Sequence, residues 1–239
     1  MLKIILQEPK HIHPFNEPAR DLRVLNKPLW LIQRDTLAPY TEREIEVAPG
    51  RPIPERSEAC LVYRDNLYFS EQFIAAFLAE AQRRTQPSRV AFSANDAAFR
   101  EHALPLATSY EKAAHPNGTG EIYLADLWYY PNGTQAQAMQ QPCEAILIDT
   151  RSIEAGYYHV PTYMASEQGD LVFQVPLLSM LAIDTWVHIF IADVVFGLFT
   201  RGANFEERLN RNPFYKLKIL AKAMFEGCQV LESSEVVRI

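Results

Sequence analysis

The stretch ACLVYRDNLYFSEQFIAAFLAEAQRR, residues 59–84, decides the fold class. An apolar run of strand length, 59–63, meets Arg64, Asp65 and Asn66, and a few residues later a segment with helical periodicity begins. Phe73, Ile74, Phe77, Leu78 and Ala81 stand at i, i+1, i+4, i+5 and i+8, one face of a helix over 71–83. Ser70 is placed to cap that helix, and Glu71 suits the positive end of its dipole. A buried strand, a tight turn and an amphipathic helix in this order make the repeating half of an α/β sheet.

Working outward, apolar runs of strand length recur at 2–6, 89–92, 122–127 and 145–148, with helix-like segments between several of them. This alternation predicts a Rossmann-like α/β domain, its mainly parallel sheet flanked by helices. HPNGTGEIYLADLWYYPNGT, residues 115–134, has an Asn-Gly turn signal at either end of an aromatic-rich run, which predicts an antiparallel excursion added to that core. Both NGT triplets, at Asn117 and Asn132, are read as turns rather than glycosylation sites. The Pro-rich piece 47–58 is a loop, because each Pro removes an amide donor and restricts the residue before it. NPFYKLKILAKAMFEG, 212–227, reads as a late helix with Pro213 in its first turn and Gly227 as its stop. The domain is expected to span 1–227, with 228–239 as a tail.

The longest apolar stretch, 180–199, approaches the length of a membrane span, yet Asp184, His188 and Asp193 fall inside it. A carboxylate at mid-bilayer costs about 3 kcal/mol, so the expectation is a buried core helix and no membrane span.

The chain has 239 residues, 48% of them apolar, enough for one well-buried α/β domain. A net charge of −6 provides no overall basic field to hold nucleic acid by its phosphates. Cys60, Cys143 and Cys228 are odd in number and far apart, which argues against a disulfide framework and a cysteine zinc site and makes a reducing, cytoplasmic setting the expectation. The opening run 1–9 is too short and too soon interrupted for a secretory signal.

In an open α/β sheet, ligands gather beyond the carboxyl ends of the strands, and a carboxylate directly after an apolar strand can hold a hard cation or face phosphates. Asp65 has that position. Asp and Asn also fill turns for their own sake, and the residues alone leave both readings open. Arg20, Arg23, Lys27 and Arg34 place four cations in fifteen residues soon after the first strand, the groups that phosphates require, although solvated surface charge gives the same pattern. No Gly lies between Leu6 and Arg20, so a P-loop and a dinucleotide fingerprint are both ruled out. His11 and His13 share one side of an extended segment but have no acidic or Cys partner at ligand spacing. Asp184 and His188, four apart, are read as sharing either a site or a buried hydrogen bond. No Gly-x-Ser-x-Gly elbow is present, and no Cys stands near a His suited to activate it.

Taken together, NKPLWLIQ (26–33), VYRDNLYFSEQFIAAFL (62–78) and IDTWVHIFIADVVFGL (183–198) resemble elements of the sugar-nucleotide pyrophosphorylase (nucleotidyltransferase) family. Lys27 matches the Lys of that family's Lys-Pro-Leu segment, Asp65 its metal-binding Asp, and Asp184 the second Asp of its late Trp-containing segment. The resemblance implies transfer of a nucleotidyl group from a nucleoside triphosphate to a phosphorylated sugar or polyol. It further implies Mg²⁺ at Asp65 and Asp184, catalytic roles for Arg20 and Lys27, and substrate binding by Arg23. Three departures stand beside it: QEPKHIHPFNEPA replaces the Gly-rich loop, Arg20 stands where the family has Lys and one residue nearer, and Arg64 replaces a Gly before the metal Asp. They make a non-catalytic domain of the same fold, serving ligand binding or assembly, the alternative. VLESSEVVRI, 230–239, resembles the entry into the left-handed β-helix that follows many such domains, and a homo-oligomer accords with that.

Overall fold

The computed structural model describes residues 1–157 and 171–226, apart from positions 116, 117, 119 and 136. Asn117, Gly227, Cys228 and the tail 228–239 therefore lie outside the described residues.

Strand β1 (Leu2–Leu6) is buried along its whole length and lies one strand in from an edge of the sheet. It is followed by two short hairpins, β2 (His11–Ile12) with β3 (Glu17–Pro18) and β4 (Arg23–Val24) with β5 (Lys27–Pro28). Then come α1 (Leu29–Leu37), β6 (Arg43–Val47), β7 (Cys60–Arg64), β8 (Leu67–Phe69), α2 (Glu71–Ala81) and β9 (Ser88–Ser93). The second half has β10 (Glu111–Ala114), β11 (Glu121–Tyr130), β12 (Glu144–Leu147), the hairpin β13 (Ile153–Tyr157) with β14 (Leu171–Val175), and β15 (Met180–Ala182). Helices α3 (Trp186–Asp193), α4 (Thr200–Arg211) and α5 (Pro213–Glu226) follow.

The main sheet has the order β12-β9-β11-β7-β1-β6. β6, β1 and β7 are mutually parallel, as are β9 and β12, and β11 runs against both of its neighbours, β7 and β9. The sheet is thus mainly parallel and helix-flanked, as the alternation predicts. The aromatic-rich run is antiparallel as expected, but it is no excursion: it sits in the centre of the sheet, and β10 pairs with its first half. At its far end Gly133 takes φ +86°, and a Cβ there would stand 1.9 Å from the Arg56 carbonyl oxygen, so the turn after Asn132 requires Gly.

The period of two sorts the core. Along β7, Leu61 and Tyr63 face one hydrophobic cluster and Cys60 and Val62 face the other, so both sides of the sheet are dry. Helix α2 covers the first side with Phe73, Ile74, Phe77, Leu78 and Ala81, all at most 2% exposed. Ser70 Oγ accepts from the Phe73 amide at 3.2 Å, the cap its position predicts, and the helix ends at Ala81, two residues early.

The run 180–199 is not one core helix. Met180–Ala182 is a strand paired with β8, and the helix begins only at Trp186, after Asp184 and Thr185, residue types that favour helix starts. It continues through a π-helical segment, Val194–Phe199, into α4. By length and composition Trp186–Arg211 could cross a membrane, and with only 33% of its most apolar window buried, Trp186 54% and Phe190 60% exposed, it is not the mostly buried core helix expected. Polar ties hold it to the body: Asp193 accepts from the Leu25 amide, and the Tyr68 hydroxyl donates to the Phe196 carbonyl at 3.2 Å. Periodicity misses this because a continuous apolar run looks alike as strand or buried helix.

Candidate functional site

β1 and β7 end side by side, with Leu6 opposite Arg64. Just beyond, the Asp65 amide donates to the Leu6 carbonyl at 3.0 Å, and the Glu8 amide donates to Asp65 Oδ1 at 2.8 Å. Arg20 Nη1 stands 3.4 Å from Asp65 Oδ2, and its fork is held from the other side by Glu46, with Nη2 2.9 Å from Oε1. That hydrogen bond raises the Arg20 pKa and lowers that of Glu46. Gln33 on α1 fixes the turn, donating to the carbonyls of Asp65 at 3.0 Å and Leu67 at 2.7 Å. Asp65 is 2% exposed. Burial pushes its pKa up from 3.8 to about 6, against the opposing pull of the Glu8 amide and Arg20 and with help from the charges of Glu8 and Glu46. Asp65 and Asn66 make the turn into β8, and the same turn buries a carboxylate at the carboxyl edge of the sheet.

Asp184 lies across Asn66 from Asp65. Its Oδ2 accepts from the amides of Thr108 at 2.7 Å and Ser109 at 2.9 Å, and its Oδ1 accepts from the Ser109 hydroxyl and from Asn66 Nδ2 at 3.3 Å. The pairing with His188 is made by the backbone: the Asp184 amide donates to His188 Nδ1 at 3.1 Å, leaving Nε2–H to donate to the Pro105 carbonyl at 2.8 Å. Burial lowers the His188 pKa, in keeping with this neutral tautomer. Asn66 is fully buried, and its Oδ1 finds no partner among the described residues.

A cavity of about 300 Å³ opens beside Asp184, lined also by Glu8, Lys10, Arg64, Thr108, Ser109 and Asp126, and neither Asp65 nor Arg20 is part of its lining. Arg64 lies across it, with Nε 2.7 Å from Asp126 Oδ2 and Nη1 3.1 Å from Glu8 Oε2. Arg89 completes the network, its Nη2 2.8 Å from Asp126 Oδ1.

Of the site residues expected from sequence, Arg20 and Asp65 touch, and Asp184 joins them through Asn66. Arg23 and Lys27 do not reach the group. They belong to the β4–β5 hairpin, whose turn residues Leu25 and Asn26 have φ of 51° and 60°. Arg23 bonds back to Asn26, and Lys27, exposed, faces Asp35 at 3.6 Å. His11 and His13 are exposed, and among the described residues no group of three or more His, Cys, Asp or Glu is placed to hold a metal ion. The sequence reading missed Lys10, Thr108, Ser109 and Asp126. Asp126 did leave a signal: a carboxylate inside the long apolar strand 121–130 needs a buried partner. It sits where the register of β11 against β9 shifts, between Leu124 and Trp128.

No protein-family model matches the sequence, and no curated protein matches it. Among solved structures it is similar to one described as a glucose-1-phosphate thymidylyltransferase from Bacillus anthracis in complex with sucrose, with 7% identity, a TM-score of 0.48, and coverage of 82% of this chain and 96% of that one. A second is the mannose-1-phosphate geranyltransferase from Thermus thermophilus, with 11% identity, a TM-score of 0.36, and coverage of 54% and 57%. No conclusion about function follows from similarity at that level.

Proposed function

We propose that this chain is a nucleotidyltransferase-like domain that joins a nucleoside triphosphate to a phosphorylated sugar or polyol. An oxygen of the acceptor's phosphate attacks the α-phosphorus, the α–β phosphoanhydride bond breaks, and pyrophosphate leaves. The observation that supports this reading is Asp65: a buried carboxylate, its pKa raised to about 6, held beside a guanidinium at the carboxyl edge of two adjacent parallel strands. Ligands of open α/β sheets bind at that edge, and a buried carboxylate perturbed beside a charged partner there is a functional-site candidate.

Arg20, tethered by Glu46, orients the phosphate under attack, and its guanidinium meets charge that develops there. The oxygens present suit a hard cation. Asn66 Oδ1 is a buried acceptor without a partner among the described residues, on the residue that follows Asp65, and Mg²⁺ needs only one or two protein carboxylates beside phosphates and water. Asp65 is the carboxylate with capacity left to hold Mg²⁺, which when bound would neutralise phosphate charge, whereas Asp184, the second carboxylate that the resemblance implies, has both oxygens taken by four donors. The chain's own contribution is to fix the reacting groups and keep water from Asp65.

Pyrophosphate release tests this reading, measured across the common nucleoside triphosphates paired with sugar 1-phosphates, for the wild type, Asp65→Asn and Arg20→Ala. Each substitution is expected to lower kcat/KM by about 100-fold or more, the scale of removing one electrostatic contact to a transition state. Turnover unchanged in both would refute the site. No turnover with any pair would favour the non-catalytic domain.

A further inference from the structure

The charges lining the site cavity are unequally used. Both oxygens of Asp126 accept from guanidiniums, Arg64 on one and Arg89 on the other. Glu8 accepts from Arg64 through Oε2 and from the Lys10 amide, at 3.2 Å, through Oε1. Asp184 accepts from four donors. The three carboxylates are therefore matched, whereas the Lys10 ammonium has no carboxylate within ion-pair distance among the described residues, and Arg64 Nη2 makes no hydrogen bond to the protein there. The unused capacity of the cavity is donor capacity on its two cations, although its lining counts three carboxylates.

We propose that this cavity is a phosphate subsite in which Lys10 and Arg64 hold the anion, a role that rests on the nucleotidyl-transfer reading above. Three arguments carry it. The loop between Leu6 and Arg20 has three Pro and no Gly, so it cannot bring a run of backbone amides against a phosphate, and side chains must supply the charge. Arg64 is already oriented for an anion, because Asp126 and Glu8 grip its Nε and Nη1, which leaves Nη2 as a fixed donor and reduces the ordering that binding would otherwise require. Lys10 adds a mobile point charge from the loop that follows β1, and Thr108 lines the same cavity. The substitution that most clearly departs from the family pattern, Arg in place of Gly before Asp65, thus becomes a gain of a phosphate ligand rather than an obstruction. The phosphate belongs either to the nucleoside triphosphate or to the sugar phosphate.

Calorimetric titration of the full chain in EDTA distinguishes the two, with inorganic tripolyphosphate as one probe and glucose 1-phosphate as the other. The variants are Lys10→Gln, Arg64→Lys, which keeps the charge but loses the fork, and Arg83→Gln, whose exposed side chain pairs with Glu80 away from the cavity. One of the probes is expected to bind about tenfold more weakly to Lys10→Gln and several-fold more weakly to Arg64→Lys, with Arg83→Gln unchanged. Loss confined to tripolyphosphate assigns the subsite to the triphosphate, and loss confined to glucose 1-phosphate assigns it to the acceptor. Equal binding by wild type and both cavity variants, or no binding of either probe, would overturn the subsite. Turnover that survives Lys10→Gln would overturn it too while leaving nucleotidyl transfer standing. Probe binding lost in Lys10→Gln, in a chain that turns over no substrate pair, would keep the subsite and remove the reading it rests on.

Discussion

Asp65 and Asp184 are the same residue type, buried to 2% and 4% exposure, and Asn66, the chain neighbour of one, donates to the other, yet they have opposite surroundings. Asp184 collects two backbone amides, a hydroxyl and a side-chain amide, and ties the 108–109 loop to the start of α3. Asp65 has one amide and a guanidinium at 3.4 Å, with two further carboxylates close enough to raise its pKa. Burial alone does not decide what a carboxylate does. The number of donors aimed at it does: a fully met carboxylate is a structural latch, and an under-met one keeps capacity for a ligand.

The comparison can be broken most directly at the latch. Asp184→Ala should destabilise the fold by about 2 to 4 kcal/mol, because it strands four donors, the amide of Asn66 fully buried among them, and urea unfolding reads the loss. A cost under about 1 kcal/mol would mean that the latch is decorative. Asp65→Asn should act in the opposite direction. Its folded pKa lies above the unfolded value near 3.9, so ionisation penalises the folded state: the penalty is absent below about pH 4, grows from pH 4 to 6, and is complete above pH 6. In metal-free buffer Asp65→Asn should therefore be more stable than wild type by about 1 to 3 kcal/mol at pH 8, with the gain vanishing near pH 4. A variant less stable than wild type at pH 8 would show that Asp65 is as well satisfied as Asp184. A smaller effect sharpens the account of the latch: Ser109→Ala removes the hydroxyl but keeps the amide, and should cost about 1 to 2 kcal/mol in the same urea assay. The smallest is at Lys27, where Lys27→Ala should change stability by less than about 0.5 kcal/mol and leave pyrophosphate release within twofold. A hundredfold loss there would bring the β4–β5 hairpin back into the site.

The parts of the molecule that sequence reveals are those set by neighbours along the chain. The strands at 2–6 and 89–92, the α2 face from Phe73 to Ala81 and the Ser70 cap follow from spacing and residue type, and Asp65 follows from standing directly after a buried strand. What sequence conceals depends on contacts between distant segments. The cluster of Arg20, Arg23 and Lys27 reads as one patch, but a hairpin turn with two positive φ angles directs the latter two away. Lys10, Thr108 and Asp126 come from three separate parts of the chain, and only the finished sheet makes them neighbours. The run 180–199 contains no local signal that its first residues would pair with β8.

The central position of β11 has a consequence for how the chain is made. β6, β1 and β7 form one parallel block and β9 and β12 another, and β11 lies between them. Until residue 130 has left the ribosome, β7 and β9 each present an open apolar edge, the kind of edge that recruits foreign strands. Synthesis of this chain thus passes through a window, closed only by the tenth residue of one strand, in which the nascent protein is a three-stranded parallel block and an unpaired β9, most in need of a chaperone, and β12 joins β9 only later.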